Sequence, residues 1–378
     1  MHKFGEWRRT PRDTFFPRPR ILAINPGSTS TKLAIFEGEE EIFAEELKHS
    51  AEELEPYEGR RISAQFEFRK EAIEAFLAKA DIAVSSLDAV SARGGLVKPI
   101  PHGTYTVNER MRNDLMDEHG SDHASNLGAL IAHALVGHLG KPAYIVDPVV
   151  VDEMDDRNRV TGFKILRRKA ISHALNQIAT AHRYARDAET FYDRLNVIVC
   201  HMGGGISIGA HRKGRFVDVN NALDGEGPFS PQRSGSLPVA DLIRLCFSGT
   251  YTMEQLLTLN KGRGGLIDLL GTTDFMLVER KYLEGDPDFA PVFEAMCYQI
   301  SKWICSMVPA FDGEPVDRVL LTGGLARAKP LVKLVEQACA PLRCGMSVYP
   351  GENEMIALAQ GALRVLSGRE EVREYAPH

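Results

Sequence analysis

The residues of this chain best placed for chemistry sit in two glycine turns. One is Gly27-Ser28 in "INPGSTSTK" and the other is Gly203-Gly204-Gly205 in "HMGGGISIG". Each turn lies between two stretches that read as strands, "ILAI" before the first and "VIVC" before the second. Glycine weakens a strand interior, so such a run marks a turn or a close approach of backbone to a ligand. Turns of this kind present unpaired backbone N–H groups beside small side chains, which suits the oxygens of a polyphosphate. Asn25 and Ser28 would add an amide and a hydroxyl to the first turn. Thr322-Gly323-Gly324 is a third such place, expected to open a helix whose N-terminus faces a nucleotide. Asp147 ends an apolar run and precedes Pro148, so its carboxylate should emerge at the carboxyl edge of a sheet, where open α/β sheets take their ligands.

The elements that must hold these residues can be read from periodicity. "RILAINPGSTSTKLAIFEGEEEIFAEEL" predicts a three-strand meander, and "NVIVCHMGGGISIGAHRKGRFVDV" predicts a second set of strands. Helices are predicted over 65–80, over 121–139 with Ser121 or Asp122 as cap, and from Ile171 to Leu195. Others follow at 238–247, 253–259, 289–311, after Gly324 and after Pro350. Sliding the chain by 176 residues lays "ILAINPGSTSTKLAIFEG" over "VIVCHMGGGISIGAHRKG", with Gly27 on Gly203, Ala34 on Ala210 and Gly38 on Gly214. Strand, glycine turn, strand and second turn agree in order. The expected fold class is therefore α/β, two duplicated domains with the two turns facing each other across a central cleft. Domain I is expected over 21–150 plus 355–378 and domain II, the nucleotide-binding half, over 151–354. Residues 1–20 are Pro- and Arg-rich and read as a disordered extension or the product of a misplaced start codon.

Composition limits the function classes. A formal charge of −6 argues against a nucleic-acid or membrane-surface protein, which needs a clustered basic field. It leaves room for anionic substrates, which need only a few placed arginines. The six cysteines are scattered without a CxxC pair, which favours reduced thiols in a cytoplasmic protein over a metal site or a disulfide framework. "GGGISIG" runs into a strand pattern where a dinucleotide fingerprint would require a helix.

"INPGSTSTK", "VDPVVVDEM", "LTGGLA" and the block "HMGGGISIGAHRKGRFVDVNNALDGEGPFSPQRSG" resemble the acetate kinase family, and within it the butyrate kinases, of the actin-like, sugar-kinase-like (ribonuclease H-like) ATPase superfamily. The resemblance runs from about Ile21 to Gly368. It implies reversible in-line transfer of a phosphoryl group between ATP and a short-chain carboxylate, with Mg²⁺ as cofactor and a homo-oligomeric enzyme. It assigns Arg93 to the carboxylate and Arg233 to the transition state. Asp147 and Glu354 fall to the metal, with Glu352 as the alternative to Glu354, and Asp147 also to organising the attack. His173 and His201 stand near the transferred phosphoryl group, and Gly203, Gly204, Gly205, Gly323 and Gly324 near the nucleotide.

The sequence departs from acetate kinases at three places. Gly204 stands where they carry Asn, Ser172 where they carry Phe, and Gly95 where they carry Val. The last two changes are from large to small, so Gly95 and Ser172 are expected to widen an acyl pocket for butyrate, isobutyrate or propionate. The loop 224–235 and hinges near 150 and 354 are the expected moving parts. The rival readings within the superfamily are a polyphosphate phosphatase and an ATP-driven conformational protein. The conformational proteins lack two cleft arginines matched to a carboxylate, and the phosphatase would use water where Arg93 here awaits an organic acid.

Overall fold

The structure is a computed structural model that describes residues 18–117 and 122–376. The strands are β1 (Arg20–Pro26), β2 (Ser30–Glu37), β3 (Glu40–Lys48), β4 (Ala89–Arg93), β5 (Thr104–Thr106) and β6 (Ala143–Val146). They continue with β7 (Asn196–Met202), β8 (Ile206–Arg212), β9 (Arg215–Val219), β10 (Arg318–Gly323), β11 (Gly345–Pro350) and β12 (Arg373–Glu374). The helices are α1 (Ala51–Leu54), α2 (Phe66–Lys79), α3 (Glu109–Met116), α4 (Asn126–Val136), α5 (Ala174–Asp187) and α6 (Val239–Cys246). After them come α7 (Met253–Asn260), α8 (Leu266–Leu270), α9 (Phe275–Leu283), α10 (Phe289–Ser306), α11 (Lys329–Cys339) and α12 (Glu354–Leu366).

Two mixed sheets organise the chain, in the orders β12-β5-β6-β4-β1-β2-β3 and β11-β10-β7-β8-β9. In the first, β1 runs antiparallel to β2 and parallel to β4. In the second, β7 runs antiparallel to β8 and parallel to β10. The unit β6-β4-β1-β2-β3 therefore recurs as β11-β10-β7-β8-β9. Moving both ends of β1, 20 and 26, by 176 residues gives 196 and 202, the two ends of β7. The internal repeat is a structural duplication.

Both central strands are buried on both faces, which is why their sequences are apolar without alternation. On one side of the first sheet, Leu22, Ile24 and Leu33 pack with Ile73 and Phe76 of α2 and Leu127 and Ile131 of α4. On the other side, Ile21, Ala23 and Phe36 meet Leu358 and Ala362 of α12. The second sheet repeats the arrangement, with Phe293 and Ile300 of α10 and Leu331 of α11 on one face and Ile178 and Ala181 of α5 on the other. Each fully buried Leu, Ile or Phe contributes about 1.5–3 kcal/mol to holding a helix in place. Helices α5 and α12 occupy equivalent faces of the two sheets and touch each other, forming the seam between the halves.

Several expectations need correction. The helix expected over 121–139 begins at Asn126, after Ser125. Asp122 does not cap it, because both its carboxylate oxygens accept from the Ile62 N–H at 3.1 and 3.0 Å. Ser121 and residues 1–17 lie outside the described residues. The turn Thr322-Gly323-Gly324 opens a four-residue 3₁₀ turn, Gly324–Arg327. The α-helix starts later, at Lys329, because Pro330 fits only a first turn, where its missing N–H costs nothing. Strand β5 and helices α3, α8 and α9 were not anticipated. Among the described residues no helix is long and apolar enough to cross a membrane.

Candidate active site

The parallel pairing of β1 with β4 brings their carboxyl ends to one edge, with Ile24 opposite Ala92. Asn25 and Arg93 follow those residues, so they meet there, and Glu354 joins them from the first turn of α12. The Nδ2 of Asn25 donates to Glu354 Oε2 at 2.6 Å, and Arg93 Nη1 stands 3.2 Å from Glu354 Oε1. Arg93 also donates to Asn25 Oδ1 at 3.4 Å. Glu352 lies alongside. Burial raises its carboxyl pKa, Glu354 raises it further, and Lys32 and Arg93 partly oppose the shift. Lys32 is the register partner of Asn25 on β2.

The second half faces this group with two histidines. His201 comes from β7 and His173 from the residue before α5, and their rings stack at 4.0 Å and 15°. Asn176 orients His201: its Oδ1 lies 2.7 Å from His201 Nδ1 while its Nδ2 donates to the Glu352 carbonyl at 2.5 Å. With Asn176 Oδ1 as acceptor, the network puts the proton on Nδ1 of neutral His201 and leaves a lone pair on Nε2. That Nε2 is buried and has no partner among the described residues. His173 takes the opposite tautomer. Ser207 Oγ accepts from Gln177 Nε2 at 2.8 Å, so its proton goes to His173 Nδ1, 2.9 Å away, and His173 carries its own on Nε2. The pair thus presents one donor and one acceptor.

Burial drives both histidine pKa values down, His201 to about 3, with Arg93 and Arg233 adding to the effect on each. His173 also feels His201. Two arginines, one from each half, therefore act on the same buried pair. Arg233 Nη1 donates to the Ala222 carbonyl. Its guanidinium lies against Gly205, where a Cβ would collide with it, so a larger residue there would force the arginine to move. The second turn is fixed from its own side by Ser230 Oγ, which donates to the Gly204 carbonyl at 2.7 Å, and by Gln232 N at 3.3 Å. Gly203 stands beside His201 Nε2 and Glu352. In the first turn Ser28 is exposed and Gly27 N–H is spent on the Ser30 carbonyl at 2.7 Å.

Asp147 follows Val146, the β6 partner of Arg93, so it stands at the same sheet edge, but no hydrogen bond or ion pair among the described residues joins its carboxylate to this group. It is 3% exposed with φ 39°, and its Oδ1 accepts from Gly103 N at 2.6 Å. Burial raises its pKa to about 6, and the charges that oppose the shift belong to His102 and Arg364. At Gly95 the geometry gives the small residue another reason. A Cβ would run into Asn126 and Leu115, and Asn126 Oδ1 accepts from Leu96 N at 2.8 Å, so the space is filled by helix packing. Ser172 is 5% exposed and its hydroxyl has no partner among the described residues. Gly323 adopts φ 88° where β10 presses against the end of β7, and Gly324 beside it is exposed. Lys32, Asn176 and Ser207 were missed. Lys32 sits in the quoted "STSTK", and alternation on a strand following the turn was the signal that could have found it.

The acetokinase family profile matches residues 167–364. Butyrate kinase 2 of Clostridium acetobutylicum is 51% identical over 356 residues, 94% of this chain and 99% of that protein. Butyrate kinase 1 of the same organism is 49% identical over the same shares. Among solved structures, the acetate kinase of Porphyromonas gingivalis superposes with a TM-score of 0.74 at 16% identity, covering 92% of this chain and all of that one. A propionate kinase from Francisella tularensis gives 0.69 at 18% identity, covering 91% and 98%. The duplicated fold, the paired glycine turns and a relative at 51% identity over nearly the whole length agree: the chain belongs to the acetokinase family.

Proposed function

We propose that this carboxylate kinase transfers the terminal phosphoryl group of ATP to a four-carbon acid, butyrate, giving the acyl phosphate and ADP reversibly. The observation that carries the reading is the convergence of Arg93 and Arg233, from opposite halves, on the stacked pair His173 and His201. Phosphoryl transfer asks mainly for positioning and for positive charge around the transferred group. Arg93 at the β4 edge holds the carboxylate, and Arg233 stabilises the charge on the equatorial oxygens. His173 donates from Nε2. His201 must first take a proton on Nε2, which an arriving phosphoryl anion would favour. Butyrate as the acid is supported by the relatives' names and by Ser172, whose small side chain leaves room beside His173.

Magnesium fits the acids present. Glu352 and Glu354 are neighbours whose mutual repulsion a cation would relieve. Mg²⁺ takes few protein carboxylates beside water and phosphate oxygens. Among the described residues no group of three His, Cys, Asp or Glu could hold a metal, so the substrate would complete the shell. When bound, the ion would neutralise charge on the phosphate oxygens. Asp147 enters this reading as the anchor of the β6 end, since Gly103 N already holds its Oδ1.

Residues 21–150 with 355–378 and residues 151–354 are proposed as the two moving units, in the cytoplasm where ATP is supplied. The homo-oligomer is proposed to form on α6 and α7. Neither helix has a buried residue, and Val239, Ile243, Phe247, Met253 and Leu257 are large and exposed there. Asp241 and Arg244 pair with each other at 2.7 Å beside this apolar stripe, and a second copy of the same stripe is the proposed occupant. Phe247→Glu should lower the mass read by light scattering, and an unchanged mass rejects this face.

The test of function is acyl-phosphate capture as the hydroxamate with Mg-ATP and acetate, propionate, butyrate, isobutyrate or valerate. A peak at the four-carbon acids is expected. A peak at acetate would overturn the butyrate assignment, and no acyl phosphate from any acid would overturn the kinase reading.

A further inference from the structure

Arg69, in the first turn of α2, is 0% exposed and heads the largest fully buried side chains of the described residues. Every hydrogen bond its guanidinium makes ends on a neutral oxygen. Nη1 donates to the Gly27 carbonyl at 2.8 Å, to Thr31 Oγ1 at 3.1 Å and to the Ser30 carbonyl at 3.3 Å. Nη2 donates to the Ser28 carbonyl at 3.0 Å, and Nε to Gln65 Oε1 at 2.9 Å. Burial alone pushes its pKa down, to about 10, and no acid among the described residues pulls it back. A buried cation without an anion is costly, and such a group persists where its missing partner is supplied.

The pattern of the turn shows what that partner is. The four carbonyls of Gly27 to Ser30 all point into the protein. Arg69 takes Gly27, Ser28 and Ser30, and His49 N donates to Thr29 at 2.9 Å. Gly27 N–H closes back on Ser30. Among the described residues the N–H groups of Ser28 and Thr29 have no acceptor, and both residues are exposed. Backbone carbonyls gripped from behind force the opposite faces of those peptides, the N–H groups, to the front. Two other titratable groups meet this network: Glu46 Oε1 accepts from Ser30 Oγ at 2.9 Å, and His49 Nε2 stands 2.9 Å from Thr31 Oγ1, with its pKa lowered first by burial and then by Arg69.

We propose that Arg69 is the positioning residue of the first phosphate turn, gripping its carbonyls from behind so that the Ser28 and Thr29 N–H groups and a buried positive charge face the transferred phosphoryl group. The proposal rests on reading the cleft as the phosphoryl site. Arg69 touches no substrate; it acts through the turn. Its charge is screened from water by the protein, so it makes the turn an anion receptor at ionic strengths that would erase a surface arginine.

The experiment compares the full-length enzyme with Arg69→Lys, which keeps the charge but loses the fork, and with Thr31→Val, which removes a single acceptor. Each is assayed with Mg-ATP and butyrate and, in reverse, with Mg-ADP and butyryl phosphate, beside its thermal midpoint. Arg69→Lys should lower kcat/KM for butyryl phosphate by 100-fold or more while the KM for butyrate stays within about three-fold. Butyryl phosphate should also raise its thermal midpoint less than it raises that of the wild type. Thr31→Val should show the same split at three- to ten-fold. If Arg69→Lys does not fold, Thr31→Val decides. Equal losses for both substrates, in step with the thermal midpoint, would make Arg69 a packing residue and overturn the proposal, as would unchanged kinetics in a folded Arg69→Lys. A wild-type chain that makes no acyl phosphate at all rejects the functional reading instead.

Discussion

The two glycine turns descend from one strand–turn–strand unit, yet they are held by opposite means. The first is gripped from the protein side by a buried guanidinium, and its exposed residues are Ser28 and Thr29. The second has neutral partners, Ser230 and Gln232, on its middle carbonyl, and its guanidinium, Arg233, lies on the cleft side over Gly205. Duplication supplied the same backbone twice, and divergence moved the positive charge from behind one turn to the front of the other. On the proposed reading, a phosphoryl group between them would meet a rigid receptor on one side and a long, repositionable cation on the other.

The strongest way to break that contrast is to remove the front-side cations. Arg233→Ala and Arg93→Ala should each lower kcat by about 10³-fold or more, the range found for arginines on a transferring phosphoryl group. Near-normal turnover in either folded variant would remove that residue from the mechanism. Glycine replacement separates the turns next. Gly205→Ala should cost about 10²-fold in kcat, because the Arg233 guanidinium must shift to make room. Gly27→Ala should cost far less, since its Cβ would stand 3.4 Å from the Ser30 carbonyl, an ordinary contact. Equal losses would erase the difference.

Protons distinguish the halves more gently. Burial holds His182, His201 and His211 to about 3 and lowers His173, all in the second half. An unfolded chain titrates them near 6.5, so between about pH 6.5 and 3 it binds more protons than the native state, and stability falls as pH drops. Asp147 has the opposite sign: raised to about 6 by burial, it adds stability as pH falls from 6 towards 3.8. In the first half the signs are mixed. Burial lowers His49, His123 and His133; in His102 burial is again the largest single effect, but the Glu153 hydrogen bond and the charges of Glu153 and Asp147 together outweigh it and raise the pKa. The thermal midpoint should therefore be lower at pH 5 than at pH 7, and His201→Gln should narrow the gap. A midpoint that rises on acidification would refute the assignment of neutral buried histidines. The smallest effect belongs to Ser230→Ala. It removes one hydrogen bond to Gly204, worth about 1 kcal/mol, and should change kcat only a few-fold.

The strands and turns were legible because apolar runs broken by glycine are a local signal, and the 176-residue offset survives in the ends of β1 and β7. The front of the site was legible through family motifs. What stood behind it was not. Arg69 on a helix reads as a surface residue until its partners, roughly forty positions away, are known. Asn176 looks like one polar residue among several on α5, and only the fold brings His201 and Glu352 to its two ends. Gly95 was read for the volume it lacks, when the volume had been taken by Asn126. Asp122 resembles a cap, but a nearer claim on its carboxylate, Ile62 N, settled its role. Short β5 and the five-residue α8 are fixed by tertiary contacts and leave no period to read.

Helices α5 and α12 touch along the seam, and their first turns carry His173, Asn176 and Glu354. If the two proposed units rotate about this seam, the reacting atoms sit close to the fulcrum. For a given angle, displacement grows with distance from the axis, so the rims of the cleft sweep widely while the centre scarcely travels. An enzyme built this way can admit and release bulky nucleotides through a wide mouth without dismantling the few contacts that align the acid with the phosphorus.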